Sequence, residues 1–152
     1  TQENLGYLAN LRDRIVCQDV TLTHGSPRQP VWEYVLNIQT ATQNFDFFET
    51  PFCFIGHTHL PVIYSYIDRQ HLAGLLIPEP GKSSVLSGRA IINPGSVGQP
   101  RDRDPRAAYA IFNPEEKIWN FRRVAYNIKA VQQRMLSAGL PDRHITRLSA
   151  GW

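Results

Sequence analysis

The sequence contains no long apolar segment and is poor in cysteine, methionine and lysine. Of its 152 residues, two are cysteine and one is methionine. No apolar run approaches the ~18 residues of a membrane-spanning helix, so a membrane partner is not predicted. Cys17 and Cys53 lack the spacing of a metal site and lie in apolar segments. This pattern predicts buried free thiols in a cytoplasmic protein, although a disulfide between the two is also compatible with it.

Lysine is scarce as well, because only three of the 16 basic residues are lysine. The formal net charge of +3 is too small to predict nucleic-acid binding, and the arginines are scattered rather than clustered with aromatic residues. Guanidinium groups bind phosphate through paired hydrogen bonds, so the arginines are compatible with a phosphorylated substrate. Most of them are expected to be ordinary surface or ion-pair residues.

Two histidines follow an apolar segment near the middle of the chain. Phe52–Ile55 predicts a buried strand, and Gly56–His59 has the sequence Gly-His-Thr-His. Residues two apart in an extended chain project to the same side, so His57 and His59 are expected to converge if the chain stays extended past Gly56. Imidazole binds zinc and related metals, which makes a metal site one hypothesis. A surface turn with two histidines is the alternative.

Two other predicted strands end in similar loops. His24 follows one strand, and the loop Asn93–Arg101 follows the strand Arg89–Ile92. Loops at strand ends often carry functional groups, so His24 is expected at the same edge as the histidine pair. Backbone amides of the glycine-rich loop can form a nest for an anion, although a simple turn is the alternative. The candidate residues near a phosphate are Asn93, Gly95, Ser96 and Arg101.

The remaining pattern predicts a single α/β domain over residues 1–152, with strands in the middle and helices at both ends. Helices are expected at Gln2–Leu11, Pro30–Leu36 and Thr40–Phe48, with further helix near the C-terminus. Ser83–Leu86 and Arg89–Ile92 are expected to pair as neighbouring strands. No internal repeat or low-complexity segment is visible.

The three loops together resemble the C-terminal half of the calcineurin-like metallophosphoesterases, in particular their small bacterial phosphodiesterase branch. This resemblance implies a four-layer α/β/β/α sandwich of mixed β-sheets flanked by helices. It also implies hydrolysis of a phosphate-ester substrate by a hydroxide that two divalent metal ions activate. His24 and His57 would bind one ion and His59 the other. The resemblance leaves open whether the ions are manganese, iron, zinc or nickel.

The family carries Asp-x-His, Gly-Asp and Gly-Asn-His motifs ahead of these loops, and none of them precedes His24 in this sequence. Those motifs supply the carboxylate ligands and the proton-donating histidine, so no catalytic residue is expected within the chain. We therefore expect residues 1–152 to be the C-terminal part of a longer domain, inactive alone and able to self-associate through apolar surface. A non-catalytic interaction scaffold with the same fold is the alternative, and the three retained histidines argue against it.

Overall fold

The computed structural model describes residues 1–152 as a mixed α/β fold with two β-sheets. The larger sheet has six strands in the order β1-β2-β3-β7-β4-β5, and the smaller sheet has three in the order β6-β9-β8. The strands are β1 (Arg14–Cys17), β2 (Val20–Thr23), β3 (Phe52–Phe54), β4 (Pro61–Ile67), β5 (Leu72–Leu76), β6 (Ser83–Val85), β7 (Ala90–Pro94), β8 (Ala107–Asn113) and β9 (Ile118–Val124). The helices are α1 (Gln2–Ala9), α2 (Ile38–Asn44), α3 (Ile128–Ser137) and α4 (Asp142–Ala150).

The larger sheet is mixed in direction, as the family resemblance implied. β2 pairs with β3 and β3 with β7 in parallel, whereas β1, β4 and β5 run antiparallel to their neighbours. The carboxyl ends of β2, β3 and β7 therefore meet at one edge of the sheet. His24, Gly56–His59 and the loop Asn93–Arg101 all lie at these ends, which brings the three sequence motifs to the same edge.

Each face of the larger sheet packs against a different layer. Side chains alternate along a strand, so Cys53 and Ile91 face α2, whereas Phe52 and Ile92 face the smaller sheet. Phe54 contacts Trp119 of β9 edge to face, with ring centroids 4.9 Å apart. β3 is buried on both faces, which explains why its sequence is continuously apolar.

Two predictions of local structure were wrong. Pro30–Leu36 forms no helix, because the segment is fixed in an irregular path by polar contacts described below. Ser83–Leu86 and Arg89–Ile92 do not pair with each other: β6 pairs with β9 in the smaller sheet, and β7 lies between β3 and β4 in the larger one. The short connection around Gly88, which has φ +69°, carries the chain from one sheet to the other.

The two cysteines differ in environment, and both are free. Cys53 lies in a central strand and is buried, and this burial raises the pKa of its thiol to about 12. Cys17 is exposed because β1 is an edge strand, so the prediction that both thiols are buried was wrong for Cys17. None of the helices has the length and apolar character needed to cross a membrane.

The smaller sheet covers only part of the larger one. A cavity of about 620 Å³ lies where β1 and β2 are left uncovered beside β8, and Ile15, Leu22, Phe54 and Phe112 are among its mainly apolar lining residues. Ile15 and Leu22 keep 44% and 40% of their surface exposed, which is high for apolar side chains on a sheet face. This apolar surface has no covering element within the chain.

Candidate metal centre

The loops after β2 and β3 are joined directly at the carboxyl edge of the sheet. The Gly56 N–H donates a hydrogen bond to the His24 carbonyl oxygen at 2.9 Å. Two residues later, the Thr58 N–H donates to the Gly56 carbonyl oxygen at 2.6 Å, which closes a tight turn. Thr58, which stands between the two histidines of the Gly-His-Thr-His motif, is buried.

His24 and His57 form a pair. Nε2 of His24 lies 2.9 Å from Nδ1 of His57, and the rings meet edge to face with centroids 4.7 Å apart. Nε2 of His57 is buried and has no hydrogen-bond partner. Burial lowers the pKa of His57, and the nearby positive charges of His24 and Arg101 lower it further. His57 therefore favours neutral imidazole, which is the form that binds a metal ion.

His59 lies apart from this pair. Its Nδ1 is 2.7 Å from the Gln99 carbonyl oxygen, which ties the motif to the loop after β7. Burial lowers the pKa of His59, and the charge of Arg101 acts in the same direction. His24 and His57 also contribute to this lowering, so all three imidazoles share one electrostatic environment.

The expectation that the chain stays extended past Gly56 was wrong. His57 and His59 adopt left-handed backbone conformations with φ +60° and +62°. Each such residue costs about 1 kcal/mol or more when it carries a side chain, so the surrounding contacts must hold the turn in place. Strained residues of this kind concentrate at functional sites, and here both are histidines.

Asn93 provides the main contact that holds the turn. Its side chain is fully buried, and its Nδ2 donates to the Gly56 carbonyl oxygen at 2.6 Å and to Thr58 Oγ1 at 2.9 Å. Its Oδ1 accepts a hydrogen bond from the Gly95 N–H at 2.9 Å. Asn93 therefore joins the loops after β3 and β7, a role that the sequence pattern alone did not indicate.

The other candidate residues belong to the same loop as Asn93, a loop that contacts His59 through the Gln99 carbonyl oxygen. Ser96 Oγ accepts a hydrogen bond from the Gln99 N–H at 3.0 Å, which rounds the loop. Gly95 has φ +85°, and a Cβ there would lie 2.9 Å from the Ala108 Cβ, so the loop packs closely on β8. Arg101 is half-buried with a free Nε, and its charge reaches both His57 and His59.

A half-buried carboxylate that sequence reasoning missed fixes the segment after His24. Glu33 accepts hydrogen bonds from Ser26 Oγ at 2.6 Å and from Asn44 Nδ2 at 2.9 Å, and it forms an ion pair with Arg28. Burial raises the pKa of the Glu33 carboxyl, but these hydrogen bonds outweigh burial and lower the pKa to about 2. The two prolines at positions 27 and 30 could have indicated an irregular segment rather than a helix.

The same segment places an aromatic ring on the histidine pair. The ring of Tyr34 stacks on that of His57 with centroids 3.9 Å apart and an angle of 29° between the planes. This contact was also missed, because Tyr34 was assigned to the predicted helix Pro30–Leu36. Apart from the alternation of Trp32 and Tyr34 with Glu33 and Val35, no sequence signal pointed to it.

The donor groups at this edge of the sheet fit part of a metal site. Two imidazoles in contact, one of them with an orphaned buried nitrogen, suit a transition-metal ion. However, no three His, Cys, Asp or Glu side chains lie close enough together to hold an ion on their own. The tripeptide Asp142–His144 repeats the letters Asp-x-His but lies in the first turn of α4. The site therefore has imidazole donors and no carboxylate.

Comparisons with known proteins extend over almost the whole chain. The sequence is 32% identical over 155 residues to an uncharacterized protein of Methanocaldococcus jannaschii, a match that covers 98% of this chain and 60% of that protein. The structure matches the crystal structure of a metallophosphoesterase from Sphaerobacter thermophilus with a TM-score of 0.95 and 47% identity, covering 100% of this chain and 62% of that one. The chain thus spans about three-fifths of the length of these relatives.

A third comparison concerns the fold alone. The structure of a hypothetical protein from Pyrococcus horikoshii OT3 matches with a TM-score of 0.70 and 19% identity, over 99% of this chain and 55% of that one. No protein-family model matches the sequence. The agreement in fold and sequence with the Sphaerobacter protein over the full chain supports the calcineurin-like metallophosphoesterase superfamily for this chain.

Proposed function

We propose that this chain forms part of a metal-dependent phosphoesterase that hydrolyses a phosphodiester or phosphomonoester. The observation that carries this proposal is the contact between His24 and His57 at 2.9 Å, with the orphaned Nε2 of His57 beside it. The pair lies at the carboxyl edge of parallel strands, where α/β proteins bind ligands. Divalent ions bound there would supply an activated nucleophile and stabilise negative charge on the phosphoryl oxygens.

The three histidines are proposed to divide between two ions. His24 and His57 would hold one, because their ring nitrogens already face each other. His59 would hold the second, since its Nδ1 is engaged by the Gln99 carbonyl and its Nε2 remains the available donor nitrogen. A carbonyl partner on one ring nitrogen fixes the tautomer and orientation of a metal-binding histidine. Manganese, iron, zinc and nickel remain the candidate metals.

The loop after β7 is proposed to meet the phosphate. The charge of Arg101 acts on both His57 and His59, and its guanidinium group can donate to a phosphoryl oxygen. Ser96 and Gly95 shape the loop around this position. Asn93 contributes indirectly, because its amide already holds the turn at Gly56–His59.

Carboxylate ligands and the proton-donating histidine are not among the site residues of this chain. Two dications surrounded by neutral imidazoles would keep their charge uncompensated, so we propose that a further polypeptide segment supplies the carboxylates. The uncovered apolar face beside β8 supports this proposal, since a segment packed there would reach the histidine edge. Residues 1–152 alone would then be inactive and would associate through that face.

Hydrolysis of bis-p-nitrophenyl phosphate with Mn²⁺ tests the proposal, using the protein encoded by the complete reading frame. A His57→Ala variant should lose at least a hundredfold in kcat/KM, because one metal ion loses a ligand. His144→Ala is the matched control, since His144 lies in α4 away from the site, and it should keep wild-type turnover. Equal turnover in the wild type and in His57→Ala would contradict the proposal.

A further inference from the structure

The segment from Gly25 to Leu36, which we call the strap, is held rigidly beside the histidine pair. The Gly25 N–H donates to the Pro30 carbonyl oxygen at 2.5 Å, and the Ser26 N–H donates to the Gln29 carbonyl oxygen at 3.2 Å. Glu33 then ties the strap to α2 through Asn44. A loop with this many internal and buried polar contacts has one well-defined conformation.

The strap has an inner and an outer side. Burial alternates along it, with Glu33 and Val35 turned inward and Trp32 and Tyr34 turned outward. The outward ring of Tyr34 stacks on His57, so the outer side of the strap borders the candidate metal centre. The Trp32 main chain lies beside the same imidazole, although it forms no hydrogen bond with the orphaned Nε2.

The outward aromatic rings are exposed in spite of the rigid backbone beneath them. Trp32 keeps 77% of its surface exposed and Tyr34 keeps 46%. Tyr34 has a packing partner in His57, but Trp32 stacks on no other ring in the structure. An exposed indole on a fixed backbone beside the histidine pair is well placed to stack on a flat ligand, because its ring is open to solvent.

From these observations we propose that Trp32 and Tyr34 form an aromatic rim that binds the planar organic group of the phosphate ester. The rim would select aryl or nucleobase-bearing esters over aliphatic ones, while Arg101 and the histidines meet the phosphate. This inference rests on the proposed function and adds the class of substrate to it. Trp32 is a specificity-determining residue in this account, and Tyr34 also supports the His57 ring.

The aromatic rim is tested by the binding of two probes. Both probes carry a phosphate group, but only one carries an aromatic ring. Adenosine 5′-monophosphate and ribose 5-phosphate are titrated against the complete protein with Mn²⁺, following tryptophan fluorescence and heat of binding. The ring-bearing probe should bind about tenfold more tightly and should quench fluorescence, as expected for stacking on one aromatic side chain. Trp32→Leu should remove this difference and leave the affinity for ribose 5-phosphate unchanged.

Trp152→Leu is the matched control, because Trp152 is also exposed, at 66%, but lies after α4. It should leave the preference for the ring-bearing probe intact. Equal affinity of the wild type for both probes, a lack of binding by either, or an equal loss for both in Trp32→Leu would overturn the rim. Since this readout does not require turnover, an inactive protein that still prefers the ring would contradict the proposed function and leave the rim standing.

Discussion

Nε2 of His24 lies 2.9 Å from Nδ1 of His57, although the two residues are 33 positions apart in the chain. The parallel pairing of β2 with β3 makes this contact possible, because both strands end at the same edge. The hydrogen bond from the Gly56 N–H to the His24 carbonyl oxygen then fixes the distance between the two loops. The geometry of the pair thus depends on the backbone around it as much as on the two side chains.

Replacing Gly25 by alanine should destabilise the strap. A Cβ at this position would lie 2.9 Å from the Gln29 carbonyl oxygen and 3.0 Å from that of Glu33, and neither backbone group can move freely. We expect a loss of roughly 1–3 kcal/mol in the free energy of unfolding, measured by urea denaturation. Gly98→Ala is the control, because a Cβ there meets nothing within 4 Å. An equal loss in both variants would show that the strap is not tightly packed.

Stability should fall in acid because of Glu33. Its pKa in the folded protein is about 2, below the ordinary value, so its carboxylate stabilises the fold above pH ~4.5 and this contribution disappears as the pH falls towards 2. Glu33→Gln should lower the free energy of unfolding by about 2 kcal/mol at pH 7, since charged hydrogen bonds are lost. The variant should also show a shallower decline in stability between pH 5 and 2.

The exposed Glu115 provides the comparison for this experiment, because its side chain forms no ion pair. Glu115→Gln should match the wild type at every pH in a series of urea denaturation curves. If Glu33→Gln retained the full acid dependence of the wild type, the low pKa of Glu33 would not contribute to stability. Asp104, whose pKa is also held at about 2 by hydrogen bonds from Arg106, would then be the next candidate.

Residues 1–152 expressed alone should self-associate through the uncovered face of the larger sheet. Leu22 lines the cavity beside β8 and keeps 40% of its surface exposed, so burying it against another copy would be favourable. Light scattering after size exclusion should give a mass above 17.3 kDa, and Leu22→Lys should shift it towards the monomer. Leu136→Lys, on the exposed surface of α3, should have no effect. A monomeric wild-type chain would contradict this expectation.

The central part of the fold could be predicted because its signals are local. The apolar run Phe52–Ile55 indicated a strand buried on both faces, and the structure places β3 there. Three loops, each after a strand, indicated a common edge, and parallel pairing of their strands provides it. By contrast, the pairing of β6 with β9 depends on contacts between distant segments, which no local pattern of Ser83–Leu86 could indicate.

The details of the site were less predictable for a different reason. The left-handed turns at His57 and His59 are imposed by Asn93 and by the hydrogen bond from Thr58 to Gly56, so tertiary contacts override the extended geometry that the preceding strand favoured. The position of Tyr34 depends on Glu33, whose partners lie in the strap and in α2. Polar networks of this kind combine residues that are separated in the sequence.

Metal binding by the complete protein tests the central claim most directly. Isothermal titration with Mn²⁺ and Zn²⁺, together with metal analysis of the purified protein, should detect bound divalent ions. Affinity should fall 10- to 100-fold or more in His24→Ala, His57→Ala and His59→Ala, because each variant removes a ligand. His71→Ala, at an exposed position outside the site, should bind as the wild type does. A protein that binds no transition metal, or whose affinity is unchanged in all three variants, would contradict the account and favour a non-catalytic scaffold.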